Sequence, residues 1–377
     1  MRRIGIEPAV RARVVQEPGL VLLNRKGEKQ AYIGGNKSGK GRQSFSAEWE
    51  IMRGDLCEVL WQVTEGLEGV RYVFGGDVKG FEQMERGVRV RFGDGREEEF
   101  DLLVGADGVG SRVRRNMFDD GREDKLDPIG MSIAYFTIPP KEGDGADAVW
   151  CHLPGRRALM TRRDRTDCLR VYLSLGGEHP ELNKVHKHGT MQEQKEAWAK
   201  VFSDLTDAWQ VPRFLDGMLN SPLADDFYAQ ELAQVKLDNW SHGRVVLLGD
   251  AAYCTSPMSG MGTSLALVGA YVLAGEIARA CGTAAEGDGT DPWENIPSAL
   301  AAYETTLRPF VREVQSSNMK AQVKWTLPEA AWGVALLHWV AWFITTLRID
   351  KLGSMFVSDD VGSWKLPDYS DVLRQET

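Results

Sequence analysis

The hydrophobic pattern of the chain predicts strands and helices in alternation. Val245 to Leu248 is a short unbroken apolar run, as expected of a strand buried on both faces. Asp250 stands where that strand ends, a loop holding Pro257, Gly260 and Gly262 follows, and Leu265 to Ile277 reads as a long apolar helix. Val88, Val90 and Phe92 alternate with arginines, Gly93-Asp94-Gly95 turns the chain, and Phe100 to Val104 returns as a buried strand. Residues 19–34 predict a hairpin turning at Lys26-Gly27. Residues 131–138 and 149–175 predict strands of a further sheet, broken at Pro154-Gly155 and around Asp164 to Asp167. Helices are predicted within 47–66 around Leu56, Val59 and Leu60, and over 190–220 with Trp198, Val201, Phe202 and Leu205 on one face. Another spans 297–325, interrupted or bent at Pro309. At the N-terminus Ile4, Ile6 and Val10 are the apolar positions of the tail of an amphipathic helix, with Arg3, Arg11 and Arg13 polar. Segments 34–44 and 282–293 are polar, glycine-rich loops, expected to be mobile.

The stretch 330–347 is apolar almost throughout and carries no formal charge. It approaches the length of a membrane span, yet it contains Gly333, His338, Thr345 and Thr346. Three readings stand beside one another: a buried helix that clamps the domains, an interfacial or membrane-associated helix, or a true span.

Length and composition fit a soluble protein of two or three packed units, with 377 residues, 43% hydrophobic and 26% charged. A net charge of −9 argues against nucleic acid as the main partner, because phosphate binding needs a basic surface. Cys57, Cys151, Cys168, Cys254 and Cys281 are odd in number, scattered and without C-x-x-C spacing. They predict reduced thiols in a cytoplasmic protein and no metal site. His186 and His188 are read as part of a solvated loop, and no secretory signal opens the chain.

Two stretches carry candidate chemistry. After one buried strand comes Asp107-Gly108-Val109-Gly110-Ser111-Arg112-Val113-Arg114, and after another comes Gly249-Asp250-Ala251-Ala252, with Pro257, Gly260, Met261, Gly262 and Thr263 beyond it. A carboxylate fixed at a strand end, glycines that let backbone approach a flat or anionic group, and a helix N-terminus together suit a polar cofactor. Singly, each stretch also fits an ordinary strand-to-loop turn.

Together, in this order, they resemble the single-component FAD-dependent aromatic monooxygenases, the para-hydroxybenzoate hydroxylase class, and within it the branch that includes the tetracycline-degrading monooxygenases. The resemblance covers residues 1 to about 325. It implies that the D-G-x-x-S-x-x-R motif, here Asp107, Gly108, Ser111 and Arg114, lies near the pyrophosphate and supports FAD and NAD(P)H. It implies that Gly249 and Asp250 serve the ribityl chain, and that the P-x-x-G-x-G loop of Pro257, Gly260, Met261, Gly262 and Thr263 lies along the isoalloxazine. Arg53, in Met52-Arg53-Gly54-Asp55-Leu56, fits the family's flavin-contacting arginine. The implied activity is hydroxylation of an aromatic or polyketide-like small molecule: NAD(P)H acts as transient reductant, and O2 reacts at flavin C4a before one oxygen passes to the substrate. No catalytic base is identified. Tyr253 and Ser264 stand where many relatives have His and Asn, and both still offer hydrogen bonds.

The expected fold is α/β: a Rossmann-like FAD-binding domain lacking its N-terminal βαβ unit, a mixed β-sheet substrate domain and a C-terminal helical segment. The expected FAD-binding domain is discontinuous over 1–14, 45–125 and 228–290. The substrate domain takes 15–44 and 126–227, and the helical segment 291–377. Phe136, Trp150, Met160 and Tyr172 are candidates to line a substrate pocket, with plain sheet core as the alternative. No G-x-G-x-x-G occurs in the sequence, and Met1 is expected to fall inside the helix after the missing unit. A chain shortened relative to the family, a degenerate member that binds without turnover, and a weak flavin binder therefore all remain open.

Overall fold

The structure, a computed structural model, describes residues 1–15, 17–35, 50–118, 126–282, 292–347 and 364–373. In chain order the longer elements are α1 (Glu7–Arg11), β1 (Gly19–Leu23), β2 (Lys29–Gly34), α2 (Arg53–Thr64), β3 (Val78–Met84), β4 (Gly87–Phe92), β5 (Glu97–Phe100), β6 (Leu103–Gly105) and α3 (Arg112–Met117). There follow β7 (Leu126–Ile138), β8 (Ala148–Leu153), β9 (Arg157–Arg162), β10 (Leu169–Gly176), α4 (Pro180–His188), α5 (Met191–Phe202), α6 (Val211–Asn220) and β11 (Tyr228–Val235). The last are β12 (Ser241–His242), β13 (Val245–Leu247), α7 (Asp250–Tyr253), α8 (Gly262–Cys281), α9 (Ile296–Val314), α10 (Met319–Thr326) and α11 (Ala331–Thr346). The glycine-rich loops read at 34–44 and 282–293 lie largely outside the described residues.

Contacts divide the chain into two units. The first comprises Met1–Glu68, Ile129–Leu232 and Asn318–Asp359, and the second Gly69–Pro128, Ala233–Ser317 and Asp360–Thr377.

The first unit is built on a seven-stranded mixed sheet in the order β11-β7-β10-β9-β8-β1-β2. β1 runs parallel to β8, while β1–β2, β8–β9, β9–β10 and β10–β7 are antiparallel. Successive strand residues point to opposite faces, so each strand divides its side chains between two environments. Phe136, Leu159, Val171 and Leu173 join Trp198, Phe202 and Phe214 in the buried core that α5 and α6 complete. The capping box of Thr190 and Glu193 starts α5 by satisfying two N–H groups reciprocally. A satellite cluster joins Ile6 and Val10 to Leu56 and Val59, so the amphipathic start of the chain packs on α2. Ile4, the third apolar position read there, is 38% exposed.

The second unit holds a small sheet, β12-β13-β6, and the antiparallel meander β3-β4-β5. β13 and β6 are parallel, with Val245 opposite Leu103 and Leu247 opposite Gly105. Val245, Val246 and Leu247 are fully buried, matching their unbroken apolar run. α8 and α9 close the core with Leu265, Val272, Tyr303 and Leu307. Among the described residues α8 is the helix long and apolar enough to cross a membrane, and its buried residues belong to this core.

Four local expectations are corrected. Phe100 to Val104 is not one strand: β5 ends at Phe100 on the meander, and β6 starts a different sheet beside β13. The helix expected over 297–325 runs unbroken through Pro309, whose neighbours Leu307, Phe310 and Val311 are buried and hold the turn in place. It ends instead near Ser316-Ser317, where Asn318 caps the separate α10 by accepting from the Ala321 N–H at 3.0 Å. His186 and His188 lie on α4, not on a loop. The His186 ring stacks on Trp198, whose indole N–H donates to His186 Nε2 at 2.9 Å. The helical stretch read over 190–220 is two helices, α5 and α6.

Candidate functional site

The two signature motifs meet in the second unit because β6 and β13 are adjacent parallel strands that deliver both loops at the same end. Asp107 lies past β6. Its carboxylate accepts the N–H groups of Arg112 and Val113 at 2.8 and 3.1 Å, and the Ser111 hydroxyl at 2.5 Å. Ser111 is the N-cap of α3, and its oxygen accepts the Arg114 N–H at 2.9 Å. Asp107 and Ser111 thus supply acceptors to the first turn of α3, which has no intrahelical partners for those N–H groups. Gly108 adopts φ 78°, the left-handed conformation that the turn between them requires.

Arg114 is the buried member of the motif, at 1% exposure. Its guanidinium donates to the Val109 carbonyl at 2.6 Å and to the Ala251 carbonyl at 3.0 Å. One side chain therefore ties the loop after β6 to the loop after β13.

Gly249, at φ 64° and ψ −138°, turns the chain out of β13 into α7. Asp250 follows at the first position of α7 and is exposed. Behind it the short helix is anchored by Tyr253, whose phenol meets that of Tyr303 at 3.0 Å. Burial pushes the Tyr253 hydroxyl up to about 12, so it stays neutral. Tyr253 is thus a core residue of this unit.

The Pro257–Ser259 turn is held by its own hydroxyls. Thr255 Oγ1 and Ser259 Oγ are 2.8 Å apart, and Ser259 donates to the Ser256 carbonyl at 2.9 Å. Gly260 has φ 66° with open space where a Cβ would stand. Met261 is the N-cap of α8 and provides no side-chain acceptor, so the N–H groups at Gly262, Thr263 and Ser264 have no side-chain cap. A Cβ at Gly262 would lie 3.9 Å from Asp250 Oδ1 and 3.8 Å from Thr255 Oγ1. The acid and the start of a 20-residue helix are therefore neighbours.

Those residues fit one end of FAD. An uncapped helix N-terminus suits the negative pyrimidine edge of a reduced flavin, an exposed carboxylate suits hydroxyls of a sugar-alcohol chain, and an open glycine leaves room for a flat ring. Among the described residues no cluster of His, Cys, Asp or Glu could hold a metal ion. The other site residue read from the sequence, Arg53, opens α2 in the first unit, where its charge acts on Tyr135.

The sheet face of the first unit that points away from α5 and α6 carries a row of side chains, one per strand. Leu22 pairs with Trp150, Trp150 with Met160, Met160 with Tyr172, and Tyr172 with Tyr135. The Tyr135 and Tyr172 rings meet edge to face at 5.1 Å. Burial pushes the Tyr135 hydroxyl up to about 12 and raises that of Tyr172. Arg162 stands beside the row, bound to Glu17 at 2.8 Å and also to Glu50. Phe136, grouped with these residues in the sequence reading, points to the opposite face and is core. Tyr135 and Arg162 were missed, because 131–138 and 157–162 carry no clean apolar–polar alternation to mark which side chains leave the core.

The chain matches the family described as FAD binding domain over residues 1–302. It is 37% identical over 385 residues to the FAD-dependent monooxygenase asL4 of Sarocladium schorii, covering 100% of this chain and 87% of that protein. It is 38% identical over 377 residues to the flavin-dependent monooxygenase eupH of a Phoma species, covering 98% and 86%. Among solved structures, that of the tetracycline destructase Tet(51) superposes with a TM-score of 0.71 at 26% identity, covering 98% of this chain and 85% of that one. Family match and relatives agree with the geometry of the two loops: this chain belongs to the FAD binding domain family and is a flavin-dependent monooxygenase.

Proposed function

We propose that the chain uses NAD(P)H and O2 to hydroxylate an aromatic or polyketide-like small molecule, and that the residues read from the motifs form its flavin site. In this reading Gly249 and Asp250 hold the ribityl chain, and Pro257, Gly260, Met261, Gly262 and Thr263 flank the isoalloxazine. Asp107, Gly108, Ser111 and Arg114 shape the loop that supports both, and Arg53 is the proposed flavin-contacting arginine. When bound, the flavin supplies the redox chemistry and the activation of O2. The protein's own residues bind, orient and exclude water.

The observation that carries the substrate class is the row Leu22, Trp150, Met160, Tyr172 and Tyr135. Its width and aromatic character suit a flat, extended molecule. The neutral phenols of Tyr135 and Tyr172 donate or accept hydrogen bonds without charge. Substrate-domain residues 15–44 and 126–227, FAD-domain residues 1–14, 45–125 and 228–290, and a helical segment 291–377 remain the proposed division of labour.

The test combines cofactor and substrate. The purified chain is titrated with FAD and then assayed for NADH and NADPH oxidation with phenolic, polyketide and aliphatic compounds. Asp250→Asn is expected to weaken FAD binding by roughly 10–100-fold, the loss of one or two hydrogen bonds to a charged acceptor. Equal FAD affinity in that variant removes the ribityl assignment. Flavin that neither nucleotide reduces removes the reductant, and stimulation by aliphatic compounds alone removes the aromatic class.

A further inference from the structure

α11 is apolar on the face it turns outward. Its inward positions are Gly333, Val334, Leu337, His338, Ala341 and Thr345, so the polar side chains His338 and Thr345 face the protein. His338 is buried, and its Nε2 lies 2.9 Å from Nδ1 of His152 on β8. His152 Nε2 in turn lies 3.1 Å from the Thr326 carbonyl. The outward face is apolar and aromatic: Trp332 is 74% exposed, Trp339 58% and Trp342 50%, with Phe343 beside them. Trp325, at the end of the adjoining α10, is 75% exposed. A surface helix in water normally does the opposite, turning its apolar stripe inward.

We propose that this outward face of α11 lies in the interfacial layer of a lipid membrane, as a peripheral contact that does not span. Two observations favour lipid over a protein partner. Exposed tryptophans are the side chains that settle at headgroup depth, where the ring is buried and the indole N–H stays wet. The flank before the helix is basic in a chain of net charge −9: Lys320 and Lys324 precede it. Lys320 and Lys324 are exposed, while the acidic Glu329 between them and the helix is paired with Arg156 at 3.1 Å. Such a pattern complements anionic headgroups. Sixteen residues make a helix about 24 Å long. The same 24 Å falls short of the roughly 30 Å hydrocarbon core, and the His152–His338 contact pins the inner face to β8. The helix therefore lies on the membrane instead of crossing it.

The contact goes beyond the hydroxylation reading and does not depend on it. It is tested by floating the full chain with vesicles of phosphatidylcholine alone and of phosphatidylcholine with phosphatidylserine. The wild-type chain is expected to float with both and more completely with the anionic vesicles. Its tryptophan emission is expected to be quenched by lipids brominated near the headgroup. Trp332→Gln, Trp339→Gln and Trp342→Gln combined are expected to reduce partitioning more than about hundredfold, on the scale of burying large apolar side chains. Their FAD titration, read separately, is expected to match wild type. Wild-type chain that stays with the buffer fraction and shows no quenching overturns the proposal. So does a triple variant that floats as well as wild type, or a dimer in solution that the three substitutions dissolve while no vesicle is bound. Quenching in the wild-type chain needs no variant, so a triple variant that fails to fold leaves the proposal decidable.

Discussion

Arg114 offers the sharpest test of how the two motif loops are held together. Replacing it with methionine keeps much of the side-chain volume but removes the two bonds to the Val109 and Ala251 carbonyls, at 2.6 and 3.0 Å. Hydrogen bonds from a charged donor contribute about 1.5–3 kcal/mol each, and the two share one side chain that is ordered only once. The expected cost to the second unit is therefore about 3–5 kcal/mol, a large part of the roughly 5–15 kcal/mol that holds a domain folded. Arg114→Lys keeps the charge but not the planar fork, and a single ammonium that serves one carbonyl should recover about half of it. Urea unfolding followed by circular dichroism measures the stability, and flavin fluorescence measures cofactor release along the same transition. The methionine variant should unfold at lower urea and release FAD before the bulk of the signal is lost, because Ala251 adjoins Asp250. If Arg114→Met unfolds within about 1 kcal/mol of wild type and binds FAD as tightly, the tie is not structural and the reasoning fails.

Two further outcomes follow from packing and charge. Gly275→Ala would place a Cβ 2.3–2.6 Å from the ring of Tyr369, a fully buried residue whose hydroxyl donates to Glu276 at 2.6 Å. Overpacking of this kind costs about 1–3 kcal/mol, and limited proteolysis should show earlier cleavage around residues 364–373; unchanged cleavage and melting would contradict the close approach. His152 is buried and its imidazole is lowered to about 3, chiefly by burial and next by His338, itself lowered by burial. Both groups bind protons more readily unfolded than folded, so their contribution is complete above about pH 6.5 and is lost as pH falls below it. Chemical denaturation between neutral pH and pH 4 should show the first unit losing stability by up to about 1.4 kcal/mol per pH unit for each histidine. The joint replacement His152→Gln and His338→Gln should flatten that slope, and a slope that persists would place the titration elsewhere.

Much of the second unit was legible in the sequence because its signals are local. The run Val245 to Leu248, the acid after it and the glycine loop before an apolar helix follow one another in a single stretch, and each has one dominant conformation. The motif around Asp107 was equally readable as a turn, yet the work its members do was not. The capping of α3 by Asp107 and Ser111 is a short-range contact, whereas the bond from Arg114 to the Ala251 carbonyl joins positions far apart in sequence. The face proposed for the substrate was half legible. Alternation says that Tyr135 and Phe136 point to opposite sides, but only the helices packed on one side decide which is core. The same limit explains the two histidines of α4, whose polar surroundings read as loop until Trp198 supplies an aromatic partner. The boundary between β5 and β6 was invisible because two consecutive apolar segments carry no mark of belonging to different sheets.

The row of side chains across the seven-stranded sheet has a consequence for how selectivity evolves. Each of Leu22, Trp150, Met160, Tyr172 and Tyr135 comes from a different strand, and neighbouring strands stand about 4.8 Å apart. The row is thus a graduated rule laid across the sheet, with one adjustable mark per strand. In the proposed role, enlarging or trimming a single mark shifts where the substrate comes to rest. The reverse side of the strands packs its own core with α5 and α6, so these adjustments leave that core untouched. If the row seats the substrate as proposed, a lineage with this architecture changes its selectivity in small steps while the scaffold stays constant.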